Sequence, residues 1–168
     1  QESRALLSRL SELVNARGAD ILLLSGDLFD GETVYRETLE ALAASLGAMH
    51  ARVFIAPGNH DPYTPESPYA RTPWSDNVHI FTERTIQAFP FPELGCRVYG
   101  AAFTAAYESD LLSGFTAEQD GLVNLMVLHG DLAADSRYDP VTQEQIAQSG
   151  LDYLALGHTH RFGGVQRE

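Results

Sequence analysis

Apolar positions recur along this chain with two different periods. In ESRALLSRLSELVNARG (2–18), Leu6, Leu7, Leu10, Leu13 and Val14 fall at helical spacing and Gly18 offers a stop, which predicts an amphipathic helix. The next stretch, ADILLLSGD, has an unbroken apolar run from Ile21 to Leu24, as expected for a strand buried on both faces. YRETLEALAASLGAMHA (35–51) predicts a second helix and RVFIAPG (52–58) a second strand. Each strand ends in glycine and polar residues. The order helix, strand, helix, strand predicts a layered α/β domain around a largely parallel sheet.

The middle of the chain is less regular. DPYTPESPYARTPWSDNV (61–78) reads as a long loop, and loops of that length are usually functional or mobile. VHIF, TIQAF and CRVYGAAF are expected to be short strands pairing antiparallel. LVNLMVLHG predicts another buried strand, VTQEQIAQSG a short helix stopped by Gly150, and LDYLALGHTH the last strand. With no internal repeat, low-complexity tract or linker, residues 1–168 read as one domain.

Four strand ends share one character: ILLLSGDLFD, VFIAPGNHD, LMVLHGD and LALGHTH. Ligands of open α/β sheets bind just beyond the carboxyl ends of parallel strands. Asp27, Asp30, Asn59, His60, Asp61, His129, His158 and His160 are therefore expected on one edge. Carboxylate, amide and imidazole donors suit manganese, iron, zinc or nickel, and do not suit copper(I) or an iron–sulfur cluster. Taken singly, each motif is ordinary. A Gly-Asp after a strand is a common turn, and Gly-Asn tolerates left-handed backbone angles. Together they weigh more, because four of the six histidines follow apolar runs beside glycines. His50 and His79 lack that setting and read as surface or packing residues.

Composition changes this picture in three places. At 44% hydrophobic and 20% charged residues the chain is ordinary for a soluble globular domain, and no apolar run approaches a membrane span. The lone Cys96 excludes an internal disulfide and a multi-cysteine zinc site, and fits a reducing cytoplasm. A net charge of -12 repels polyanions unless cations or a basic partner intervene, and no Lys/Arg cluster marks a nucleic-acid track.

GDLFD, GNHD, the His129–Gly130 step and GHTH, in this order, resemble the calcineurin-like metallophosphoesterase superfamily. GDLFDG with GNHDPYTPESPYARTPWSDNVHIF resembles, more narrowly, its bacterial DNA-repair exonuclease branch. The resemblance implies a four-layer α/β (α+β) fold, a β-sandwich of two facing mixed sheets flanked by helices. It also implies two divalent metals, manganese first among the options, bridged by Asp27. Asn59, His129 and His158 would complete one metal's protein ligands, and His160 would serve the other. His60 resembles the catalytic histidine near the leaving group, Asp61 is placed to orient it, and Asp30 looks like an outer partner. Two metals can activate a hydroxide and clamp an in-line phosphoryl displacement, while a nearby imidazole protonates the departing oxygen.

The implied activity is phosphate-ester hydrolysis, with DNA as the implied substrate. Small phosphate esters or phosphoproteins are the alternative, and a non-catalytic scaffold is a third reading. A partner subunit could supply the missing basic surface. The superfamily's opening Asp-x-His motif is absent, and the sequence ends soon after GHTH. The chain is therefore expected to be a piece of a longer protein, incomplete at both ends, holding at most one metal tightly.

Overall fold

The computed structural model describes residues 2–31 and 34–159. Helix α1 (Glu2–Ala16) ends just before Gly18, whose φ of 60° turns the chain into strand β1 (Ile21–Leu24). Helix α2 (Arg36–Gly47) and strand β2 (Arg52–Ile55) follow. Then come α3 (Pro68–Arg71), β3 (Val78–Ile80), β4 (Gln87–Phe91), β5 (Cys96–Gly100), β6 (Val123–His129), α4 (Gln143–Gln148) and β7 (Tyr153–Gly157). The Thr142 side chain and Gln145 form a reciprocal capping box that starts α4.

The strands make two sheets, ordered β1-β2-β3 and β4-β5-β6-β7. The first is parallel throughout; in the second, β4 runs antiparallel to β5 and the remaining pairs are parallel. The expected antiparallel pairing of the middle strands therefore holds only for β4 with β5. Strand β3 joins β2 in parallel instead, because the 61–78 segment is long enough to return the chain to the same end of the sheet. The periodicity that predicted these strands fixes their faces but not their partners. Pro90 lies in β4, at an edge of its sheet, where a missing N–H costs no ladder bond.

Alternation along the strands then builds the layers. Leu22, Leu24, Val53 and Ile55 pack against Val14 of α1 and Leu42 and Leu46 of α2. Their neighbours Ile21, Leu23 and Phe54 face the other way, onto Val98 and Val127 of the second sheet. On that sheet's outer side, Met126, Leu128, Leu154 and Leu156 meet Ile146 of α4. The order is helix, sheet, sheet, helix, as the resemblance implied. Phe54 centres the inter-sheet layer, its ring 6.1, 6.0 and 5.8 Å from Phe81, Phe89 and Phe91. Burying each such ring contributes about 1.5–3 kcal/mol. His79 belongs to this layer, 4.2 Å from the Phe89 ring, and burial lowers its pKa.

Asp139 is a buried liability on the second sheet's side. Its Oδ1 accepts from the Leu111 amide at 3.0 Å, but Oδ2 is buried with no partner. Burial pushes its pKa up to about 6. The folded state therefore holds this proton more tightly than the unfolded chain. The associated stability is present below the unfolded carboxyl value and is lost as pH rises to about 6. We expect Asp139→Asn to raise stability above pH 7 by at most about 3 kcal/mol, with little gain at pH 4. Thermal unfolding at the two pH values checks this; an equal change at both would mean that charge is not the cause.

Candidate metal centre

The parallel strands of both sheets end at one place. Asp27 lies just past β1, Asn59 just past β2, His129 closes β6, and His158 follows β7. Edge strands β1 and β7 touch, which brings the two sheets' loops together. Two glycines make the close approach possible. A Cβ on Gly58 would lie 2.5 Å from Asp27 Oδ1, and one on Gly26 (φ 82°) would lie 2.7 Å from His129 Nδ1.

His129 is fully buried and its protonation is set by one contact. Nδ1 lies 2.8 Å from the Ser25 carbonyl, which can only accept, so Nδ1 carries the hydrogen. Nε2 then presents a lone pair inward, 2.7 Å from Asn59 Oδ1 and 3.4 Å from Asp27 Oδ2. Burial pushes the pKa of His129 down, against the opposing effects of Ser25 and Asp27, and favours the neutral ring. His158 Nδ1 reaches the same Asn59 oxygen at 3.1 Å. Ligand atoms of Asp27, His129 and His158 all lie within 4.8 Å of one another.

This geometry fits a divalent cation. Lone pairs of a buried imidazole, an amide oxygen and a carboxylate face one another, and a cation among them offsets their repulsion. Backbone strain points to the same residues. Asp27 (φ 54°) and His158 (φ 132°) are two of the four described non-glycine residues with positive φ. Such outliers persist where the surrounding structure over-determines them, often at functional sites.

The other expected site residues take different places. His60 is half-exposed at the rim, its Nδ1 3.2 Å from Asp30 Oδ1, and its amide donates to Asp27 Oδ1 at 3.1 Å. Asp61 was expected to orient His60, and its carboxylate is spent elsewhere. It accepts from the amides of Asp27, Leu28, Phe29 and Gly58 at 2.7–3.1 Å and from the Tyr69 hydroxyl at 2.5 Å. Asp61 thus ties the loop after β1 to the loop after β2, and Asp30 is the carboxylate that meets His60. The preceding histidine in GNHD suggested the wrong partner because sequence adjacency does not fix side-chain direction. Burial raises the Asp61 carboxyl, and burial with the Asp61 charge raises Tyr69 well above the usual phenol value. His160 lies outside the described residues.

Sequence reasoning passed over three participants. Asp131 Oδ2 lies 3.7 Å from His158 Nε2, on its far side from Asn59. The motif LMVLHGD repeats the Gly-Asp that follows β1 and could have flagged it. Tyr138 packs against His158 with ring centres 4.6 Å apart and planes tilted by 35°, and the Ser25 carbonyl sets the His129 tautomer. Neither has a signal in the sequence.

A carboxylate, an amide and two imidazoles at the strand ends of this layered fold mark the metal-dependent class of α/β proteins. The calcineurin-like phosphoesterase family profile matches residues 2–162, and the chain belongs to that family. Divalent metal ions and phosphate-ester hydrolysis are the chemistry this family implies. The chain is also similar to an uncharacterized metallophosphoesterase, YhaO, of Bacillus subtilis strain 168. Identity is 30% over 152 residues, covering 84% of this chain and 37% of that protein. The chain thus spans little more than a third of that relative's length.

Proposed function

We propose that this chain is the catalytic part of a metal-dependent phosphodiesterase that acts on nucleic-acid phosphodiesters, as DNA-repair exonucleases do. The observation that carries the reading is the convergence of Asp27, Asn59, His129 and His158 donors at one point of the sheet ends. These four residues would hold one divalent cation, with manganese the first choice for oxygen and imidazole donors. Asp27 would also bridge to a second cation, which the histidine of the GHTH motif, His160, would serve. A bound cation supplies Lewis acidity toward phosphoryl oxygens and makes water more acidic.

The chain's own residues do the rest. Asn59, His129 and His158 bring no negative charge, so a cation held there would remain net positive and would draw an anionic ester into an otherwise acidic protein. His60, at the open rim and held by Asp30, is placed to give a proton to the departing oxygen. Asp61 keeps the two loops, and so the spacing of Asp27 and Asn59, fixed.

The net charge of -12 favours a second reading, hydrolysis of small phosphate esters, unless a basic partner covers the acidic surface. A manganese assay comparing single-stranded DNA, double-stranded DNA and nucleotide monoesters separates the two. In the whole protein we expect strand cleavage. Activity confined to monoesters would overturn the nuclease, and silence on all three would point to a non-catalytic scaffold.

A further inference from the structure

An aromatic ladder leads outward from the centre. Tyr138 lies on His158 at 4.6 Å, with 35° between the ring planes, and Tyr107 stacks on Tyr138 at 5.6 Å and 27°. Tyr107 ends the ladder 57% exposed. A single exposed tyrosine is unremarkable on a protein surface. This one is stacked on Tyr138, which in turn packs against a candidate metal ligand, and the loops beneath it are hydrogen-bonded to each other.

The support comes from two loops bound together. Glu108 and Tyr138 form a β-bridge, and the Asp139 amide donates to the Glu108 carbonyl at 2.7 Å. The Glu108 side chain is itself held by Arg84 at 3.1 Å and by the Thr104 hydroxyl at 2.9 Å. Next to the ring is a depression of about 270 Å³, lined by Tyr107, Arg84, Arg137 and Glu108 among others. The Arg137 guanidinium lies over the Tyr107 ring, 6.0 Å from its centre. Of the two arginines that line this hollow, Arg84 is paired with Glu108 and Arg137 stands beside the ring. A flat exposed ring with a cation beside it is what a nucleobase next to a phosphate requires.

We infer that Tyr107, backed by Tyr138, is a stacking platform for a nucleobase of the substrate whose phosphate sits at the Asp27–His158 centre. The inference rests on the proposed phosphodiesterase reading and adds which part of the ester the protein recognises. Tyr107 is accordingly a specificity-determining residue, and the substrate class is nucleotide esters rather than sugar or aliphatic phosphates. Arg137, which lies over the ring in this structure, would move aside for the base and meet a neighbouring phosphate.

Calorimetric titration of the manganese-loaded full chain with adenosine 5′-monophosphate and with ribose 5-phosphate tests this, since the ligands differ only by the base. Aromatic stacking of one base typically strengthens binding roughly tenfold or more. We expect that preference in the unaltered protein, its loss in Tyr107→Leu with ribose 5-phosphate affinity unchanged, and its recovery in Tyr107→Phe. Equal affinity for the two ligands in the unaltered protein, or a preference that survives Tyr107→Leu, would overturn the inference. So would failure of both ligands to bind. A base preference in a protein that hydrolyses no ester would sink the phosphodiesterase reading and leave the platform standing.

Discussion

Replacing Asp27 should abolish both metal retention and phosphate-ester hydrolysis. Among the donors gathered at the strand ends, Asp27 supplies the carboxylate that stands within 3.4 Å of His129 Nε2. Without it, the cluster offers two imidazoles and an amide, none bearing negative charge, and loses the charge that holds a hard cation. Losing an outer partner of a metal site typically costs about 10–100-fold in affinity, and losing a charged ligand should cost more. Alanine would also strain the backbone at φ 54°, so Asp27→Asn is the cleaner variant, because asparagine tolerates that conformation. Metal counting by mass spectrometry, with manganese-dependent hydrolysis of bis-p-nitrophenyl phosphate alongside, reads out both losses. Turnover undiminished in Asp27→Asn would remove Asp27 from the centre and with it the proposed chemistry.

The legibility of this site in the sequence was uneven, and for physical reasons. Apolar runs such as Ile21–Leu24 and Leu125–Leu128 are visible because strands covered on both faces need no polar positions, although Ile21–Leu24 are only half-buried. Their ends are visible because glycine and a polar residue follow each run. Such features put Asp27, Asn59, His129 and His158 at one edge, and those four do come together. What stayed hidden is set by contacts between residues distant in sequence. Nothing in GNHD shows that Asp61 turns back to four amides of two loops, leaving Asp30 to meet His60. Helix α3, one turn within the 61–78 stretch, is too short to leave a periodic pattern; the Ser67 hydroxyl accepting from the Ala70 amide starts it. The parallel placing of β3 was hidden too, since a strand's sequence does not name its neighbour.

His60→Ala should lower kcat about 10²–10⁴-fold, the range expected for loss of a general acid, while leaving metal content nearly unchanged. The argument is one of placement. Its side chain is half-exposed at the rim and meets Asp30, and only its backbone amide touches a metal-ligand candidate, through Asp27 Oδ1. Alanine keeps that amide and its 3.1 Å bond, so the ring can be removed without disturbing the donors. Asp30, almost fully exposed, holds the ring through a solvent-screened contact. Asp30→Asn should therefore cost far less, roughly tenfold or below, the weaker end of what an orienting partner contributes. Leaving-group dependence gives a readout that a merely structural role would not move. With a good leaving group such as p-nitrophenolate, which needs no proton, His60→Ala should lose little. With an alkoxide leaving group, as in a DNA strand, the full loss should appear. If metal content instead falls in step with activity, His60 is a ligand. An equal loss on both substrates would show that its role is not proton delivery.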